Sequence, residues 1–238
     1  MAEPELLVLV PGLVCDAEVW RAQAAALGNG RPVHVQEHGL TDSLEGMARR
    51  ILAAAPARFA LAGHSMGGRV ALEVLALAPE RVTRVALLDT GFEGLAAGET
   101  GERERAGRYR LRDLGRAQGM LALGKEWARG MVHPARLDDA LLMGAIHAMI
   151  GRAPVEQFEA QTEALLNRPD RTALLPQIQV PTLVLCGRED GWSPPARHEE
   201  MARRIPGARL TIVPGCGHMC TMERPDEITA ALQAWLAY

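Results

Sequence analysis

Two kinds of stretch alternate along the chain. Short, largely apolar runs cover residues 6–10, 32–35, 59–62 and 82–88, and again 180–187 and 208–213. Stretches that mix Ala and Leu with polar residues lie between them, over 17–27, 42–55 and 66–78, and later over 194–204 and 225–238. The first kind predicts strands covered on both faces, the second amphipathic helices. Pro4 and Pro11 bound the first run, Pro56 and Pro79 stop two helices, and Pro194, Pro195 and Pro225 open later ones. Asp42 and Glu45 stand at capping-box spacing before the helix that ends at Pro56. Strand–helix alternation needs crossover connections and so implies a parallel sheet. The expected fold class is α/β, a mostly parallel, doubly wound sheet of about six strands.

The alternation breaks between residues 92 and 169, where no strand-like run occurs. Helices are expected over 99–116, 125–131, 138–150 and 155–167. The first is dense in Glu and Arg and reads as a solvated helix with i,i+4 pairs. In the third, Leu141, Leu142, Ile146, Met149 and Ile150 supply an apolar stripe. The expected organisation is a core of residues 1–91 and 170–238, interrupted by a helical cap or lid over 92–169. The insertion is small for an independent domain and is expected to pack on the sheet. Met120, Met131, Met143 and Met149 read first as its core, with an adaptable pocket wall as the alternative.

Composition narrows the function classes. The 238 residues are 48% hydrophobic, enough for one domain with a sizeable core. A net charge of −3 argues against nucleic acid or an anionic membrane as partner and leaves a small-molecule substrate. The early apolar run over 6–10 is far short of the ~20 residues of a membrane span. Glu3 and Glu5 stand where a signal peptide would be basic, so a cytoplasmic location is expected. Cys15, Cys186, Cys216 and Cys220 form no C-x-x-C pair and read as free thiols. Cys216, His218 and Cys220 are too few ligands for a structural zinc site, and no metal is expected. Oligomeric state is not encoded in any pattern, and a homo-oligomer stays open.

Chemistry enters at Gly63-His64-Ser65-Met66-Gly67, which joins the third strand to a helix. A serine there sits on a sharp turn, and Gly63 and Gly67 flank it where side chains would collide. A plain glycine-rich turn with Ser65 as a helix cap is the ordinary alternative. Open parallel sheets place their sites beyond the carboxyl ends of the strands. Asp89 follows the fourth strand, Gly187-Arg188-Glu189-Asp190 the fifth, and Gly215-Cys216-Gly217-His218 the sixth. A serine hydroxyl is a poor nucleophile until a base removes its proton, and His218 can be that base. A buried carboxylate on its other nitrogen fixes the tautomer. Asp190 is the first choice for it and Asp89 the rival, while Glu189 alternates away. Backbone N–H groups of Leu13 and Met66 are placed to hold an oxyanion. Gly12, His64, Trp192 and Met219 neighbour these residues and are candidate substrate contacts. His64 reads as structural or as a pocket wall, and His133 and His147 as exposed.

These stretches, together with Val10-Pro11-Gly12-Leu13, resemble the α/β-hydrolase-fold superfamily, of the serine hydrolase or esterase type with a helical cap. The resemblance covers the chain except the expected cap. It implies a lid over a Ser–Asp–His set and no cofactor. Two departures stand out: the usual N-terminal antiparallel hairpin is absent, and the loop before Leu13 reads Pro-Gly rather than His-Gly. Ser65 where relatives of other chemistry carry Asp argues against dehalogenase or epoxide hydrolase activity. The reading that follows is a serine hydrolase acting on a small carboxylic ester. A C–C bond hydrolase, a lactonase or a thioesterase on the same residues remains open, as does a ligand-binding protein on this scaffold.

Overall fold

Residues 4–237 are described in the computed structural model of the chain; Glu3 and the last residue of the 225–238 stretch, Tyr238, lie outside them. Six strands are β1 Leu7–Val10, β2 Val33–Val35, β3 Phe59–His64, β4 Val82–Leu88, β5 Thr182–Gly187 and β6 Arg209–Val213. They form one sheet in the order β2-β1-β3-β4-β5-β6, with every neighbouring pair parallel. All residues of β1, β3 and β5 are buried, so helices cover both faces of the sheet. The edge strands β2 and β6 are partly exposed.

Helices α1 Arg21–Leu27, α2 Leu44–Ala54 and α3 Met66–Leu77 follow the first three strands. Four more, α4 Glu99–Gln118, α5 Met120–Trp127, α6 Ala140–Arg152 and α7 Val155–Leu166, lie between β4 and β5. The chain closes with α8 Pro195–Arg204, α9 Cys220–Glu223 and α10 Pro225–Leu236. In the core, α1 packs on α10 and α2 on α3. The few aromatics sit at its joints: Trp20, Phe59 and Trp235 are fully buried, and Trp235 Nε1 donates to Pro181 O at 3.1 Å, pinning α10 to the start of β5.

Several local expectations change. Ser43 rather than Asp42 caps α2: it takes extended backbone, and its hydroxyl accepts from Gly46 N at 3.2 Å. The stretch 17–27 divides into a 3-10 turn over Ala17–Trp20 and then α1, because Asp16 caps the turn through Glu18 N. The helix expected over 125–131 starts earlier, at Met120, where Gly119 with φ of +84° breaks α4 from α5. Leu141 is 88% exposed and leaves the apolar stripe. Asp139 caps α6 by accepting from Leu142 N, which turns Leu141 outward while Leu142, Ile146, Met149 and Ile150 stay buried. The short helix α9 has no apolar period and was not expected.

Among the inserted helices, α5 packs on α4 and α6, and α4 on α7. The i,i+4 pairs of α4 form, Glu99 with Arg103 at 3.7 Å and Glu104 with Arg108 at 2.9 Å. The second of these faces inward rather than into solvent, as described below.

Candidate active site

Ser65 joins β3 to α3 with φ of +55° and ψ of −118°. A non-glycine residue held there is strained by about 1–3 kcal/mol, so its surroundings must enforce it. A Cβ on Gly63 would lie 2.2 Å from Gly67 O, and one on Gly67 would lie 2.1 Å from Val10 O. Those two glycines are therefore a packing necessity. Ser65 N donates to Leu88 O at 2.8 Å, and Thr90 Oγ1 donates to Ser65 O at 2.6 Å, which fixes the turn from the neighbouring strand end.

The loops after β5 and β6 meet Ser65. His218 Nε2 lies 2.8 Å from Ser65 Oγ, and His218 Nδ1 lies 2.8 Å from Asp190 Oδ2. Asp190 Oδ1 accepts from Trp192 N at 2.8 Å and Ser193 N at 2.9 Å, so its carboxylate is aimed by its own turn. Both residues are buried. Burial works against the imidazolium of His218, but the charge and hydrogen bond of Asp190 outweigh it and raise its pKa above the ordinary value. Burial likewise works against the Asp190 carboxylate, and His218 with the two backbone donors holds its pKa below the ordinary value. With Nδ1–H given to Asp190, Nε2 is free to accept a proton from Ser65.

The rival carboxylates are occupied elsewhere. Asp89 accepts from Gly187 N at 2.9 Å and Cys220 N at 3.2 Å, bracing the two loops rather than touching His218 Nδ1. Glu189 accepts from Cys216 N at 2.9 Å. His64 is buried; its Nε2 lies 2.8 Å from His218 O and 3.6 Å from Asp89 Oδ2, so it supports the base from below. Sequence reasoning missed Glu223. Its Oε1 accepts from Gly217 N at 2.9 Å and Met219 N at 3.3 Å, and its Oε2 from His133 N at 2.7 Å. No local pattern marks that role.

Gly12 brings the loop after β1 against the serine: a Cβ there would come within 3.2 Å of Ser65 Cβ. Leu13 and Met66 line the same cavity as Ser65, and among the described residues neither N–H is taken by a loop carbonyl or side chain. Met66 is the first residue of α3, where N–H groups lack helical partners. Val14, at φ of +48°, donates its N–H to Gln161 Oε1 at 2.7 Å, tying this loop to α7.

A cavity of about 840 Å³ opens over Ser65 between the sheet and the inserted helices. Gly12, His64, Trp192 and Met219 all line it. Trp192 stacks on Trp127 of α5, with ring centroids 5.4 Å apart, and lies 5.0 Å from the His218 ring. Of the four methionines expected in the insertion's core, Met131 lines the cavity, and Met120, Met143 and Met149 are buried in the packing of the inserted helices. Arg69, Arg108, Arg168 and Arg197 also line it and were not foreseen. Arg69 alone had a signal, since it stands four residues after Ser65, in the first turn of α3. Among the described residues no group of three or more His, Cys, Asp or Glu is placed to hold a metal ion. No described helix is long and apolar enough to cross a membrane.

Known proteins share this architecture. A pimeloyl-[acyl-carrier protein] methyl ester esterase of Nitrosomonas europaea is 26% identical over 250 residues, 96% of this chain and 94% of the relative. A thermophilic esterase from Thermogutta terrifontis, solved with malate bound, superposes with a TM-score of 0.85 at 28% identity, over 99% of this chain and 90% of the other. The enol-lactonase of Burkholderia xenovorans LB400 shares the fold, with a TM-score of 0.86 at 24% identity over 100% and 93% of the two chains. The alpha/beta hydrolase family matches residues 7–231, the whole of the sheet and all of the inserted helices. The chain belongs to the alpha/beta hydrolase family and is a hydrolase.

Proposed function

We propose that the chain is a serine hydrolase that cleaves small carboxylic esters through an acyl-enzyme on Ser65. The observation that carries this reading is the unbroken line from Ser65 Oγ to His218 to Asp190, with 2.8 Å at each step. Ser65 Oγ attacks the ester carbonyl carbon while His218 Nε2 takes its proton. The carbonyl oxygen becomes an oxyanion held by the N–H groups of Leu13 and Met66. Collapse breaks the bond to the alcohol, which leaves with the proton from His218. Water, deprotonated by the same nitrogen, then attacks the acyl carbon and frees Ser65. Gly12, Trp192 and Met219 act as substrate contacts in this scheme, and His64 acts as a brace for His218. Residues 1–91 and 170–238 form the catalytic core, and 92–169 the cap that shapes the pocket. No cofactor takes part.

Short p-nitrophenyl esters test it. Wild type turns them over, and Ser65→Ala lowers kcat/KM by about 10³-fold or more. A serine-directed phosphonate labels Ser65. Undiminished hydrolysis by Ser65→Ala, or a single acylation burst without turnover, overturns the reading. Thioester, lactone and vinylogous diketone substrates, run in parallel, locate the preferred bond.

A further inference from the structure

The cavity beside Ser65 carries more positive charge than its own carboxylates neutralise. Arg69 and Arg168 converge on one acceptor, the Glu93 carbonyl, with Arg69 Nη1 at 2.7 Å and Arg168 Nε at 3.3 Å. Arg168 is satisfied by Glu104, which takes both its terminal nitrogens at 2.8 Å and also accepts from Arg108 Nε at 3.0 Å. Arg197 Nε lies 3.2 Å from Glu93 Oε2. Asp170, also in the wall, accepts from Thr172 N at 2.8 Å and Gly94 N at 3.5 Å. Arg103 and Arg110, which line the cavity from α4, pair with Glu99 and Glu126.

Arg69 is different. Among the described residues it has no carboxylate at ion-pair distance, and a single one of its five N–H donors has a protein acceptor. Its place is built in: a Cβ on Gly91 would come within 2.6 Å of Arg69 Nη2. Burial, and then the charges of Arg168 and Arg197, lower its pKa to about 9, with Glu104 opposing. A cation set among cations and short of one anion is relieved by an anion from outside. The planar guanidinium suits a carboxylate, which it can take with two parallel hydrogen bonds. Arg69 lies in the first turn of α3, its own N–H donates to Ser65 O at 3.4 Å, and both side chains line the same cavity, where one substrate can meet both.

We propose that Arg69 receives a carboxylate carried by the substrate away from the scissile bond, so that the preferred ester is an anion. This rests on the ester hydrolase reading above. Its chemistry admits two placements: a half-ester of a dicarboxylic acid, with the carboxylate on the acyl side, or an ester of a hydroxy acid, with it on the alcohol side. Two matched pairs separate them. Monomethyl adipate against dimethyl adipate tests the acyl side, and carboxymethyl butyrate against methyl butyrate tests the alcohol side.

In wild type, one pair shows a preference in kcat/KM for the anionic member, on the order of tenfold to a hundredfold. In Arg69→Gln that preference collapses towards unity through a rise in KM, and Arg69→Lys keeps part of it. A purely structural Arg69 would lower both members together and leave their ratio intact, which overturns the proposal, as does the absence of preference in both pairs. Failure of wild type to hydrolyse any ester sinks the ester hydrolase reading instead. The arginine site is then read by calorimetric binding of adipate. Adipate binding by Ser65→Ala that is lost in Ser65→Ala/Arg69→Gln supports it, and equal binding or no binding by the two overturns it.

Discussion

His218 is poised by opposed influences at a single ring. Burial disfavours its charged form, while Asp190 first and then Asp89 and Glu223 favour it, and the balance lies above the ordinary 6.5. Only the neutral ring can accept the Ser65 proton, so kcat/KM should climb with pH along an acid limb centred above 6.5. Asp190→Asn removes the dominant favourable charge. Its residual activity, lower by about 10⁴-fold, should show that limb moved to lower pH. A pH–rate profile of the two proteins checks this, and a wild-type limb at or below 6.5 contradicts it. Ser65, Asp190 and His218 were legible in the chain because each carries a local mark, a flanking glycine pair or a strand end. Arg69 carried only its offset from Ser65, and the partners that make it unusual lie up to about a hundred residues away, as the Arg168 and Glu93 contacts show.

Between elements, the loop that bears His218 is held by more than the sheet. Its own N–H donates to Met131 O at 2.7 Å, from the turn after α5, and Glu223 of α9 gathers Gly217, Met219 and His133. Burial raises the pKa of Glu223, and those backbone donors oppose the rise. Glu223→Gln keeps the shape but turns an amide NH₂ towards at least one donor. We expect a loss of about 1–3 kcal/mol in stability and a fall in kcat that exceeds any change in KM. Thermal melting with steady-state kinetics measures both, and an unchanged melting temperature would count against the clamp. The element itself could not be read beforehand: four residues have no period, and Glu223 becomes special through a neighbour ninety positions upstream. The shift of the α2 cap from Asp42 to Ser43 has the same origin, since either side chain can cap and backbone geometry chooses.

Across the whole molecule, the inserted helices are fastened to the loop after β1 at two points, Gln161 of α7 to Val14 at 2.7 Å and Arg152 of α6 to Asp16 at 2.7 Å, and Arg171, in the segment after α7, pairs with Glu73 of α3. Glu104 fastens α4 to the segment after α7 through Arg168. Burial works against its carboxylate, but the hydrogen bond from Arg168 and the charge of Arg108 lower its pKa from 4.5 to about 2. A lowered carboxylate pKa adds stability that is complete above 4.5 and is lost as pH falls towards about 2. In Glu104→Gln, urea midpoints should therefore fall less steeply across that window than in wild type; parallel curves would show that the pair adds nothing. Sequence by itself determined the alternation of strands and helices, the helical interruption after β4, and the order of serine, acid and histidine at strand ends. These follow from short-range rules of period, glycine and proline, which act within a few residues. Tertiary structure alone decided which carboxylates are spent on backbone donors, which way Leu141 faces, and that the wall over Ser65 is left with an uncancelled arginine. Those outcomes depend on distances between segments far apart in the chain, which packing of the inserted helices sets and no local pattern records.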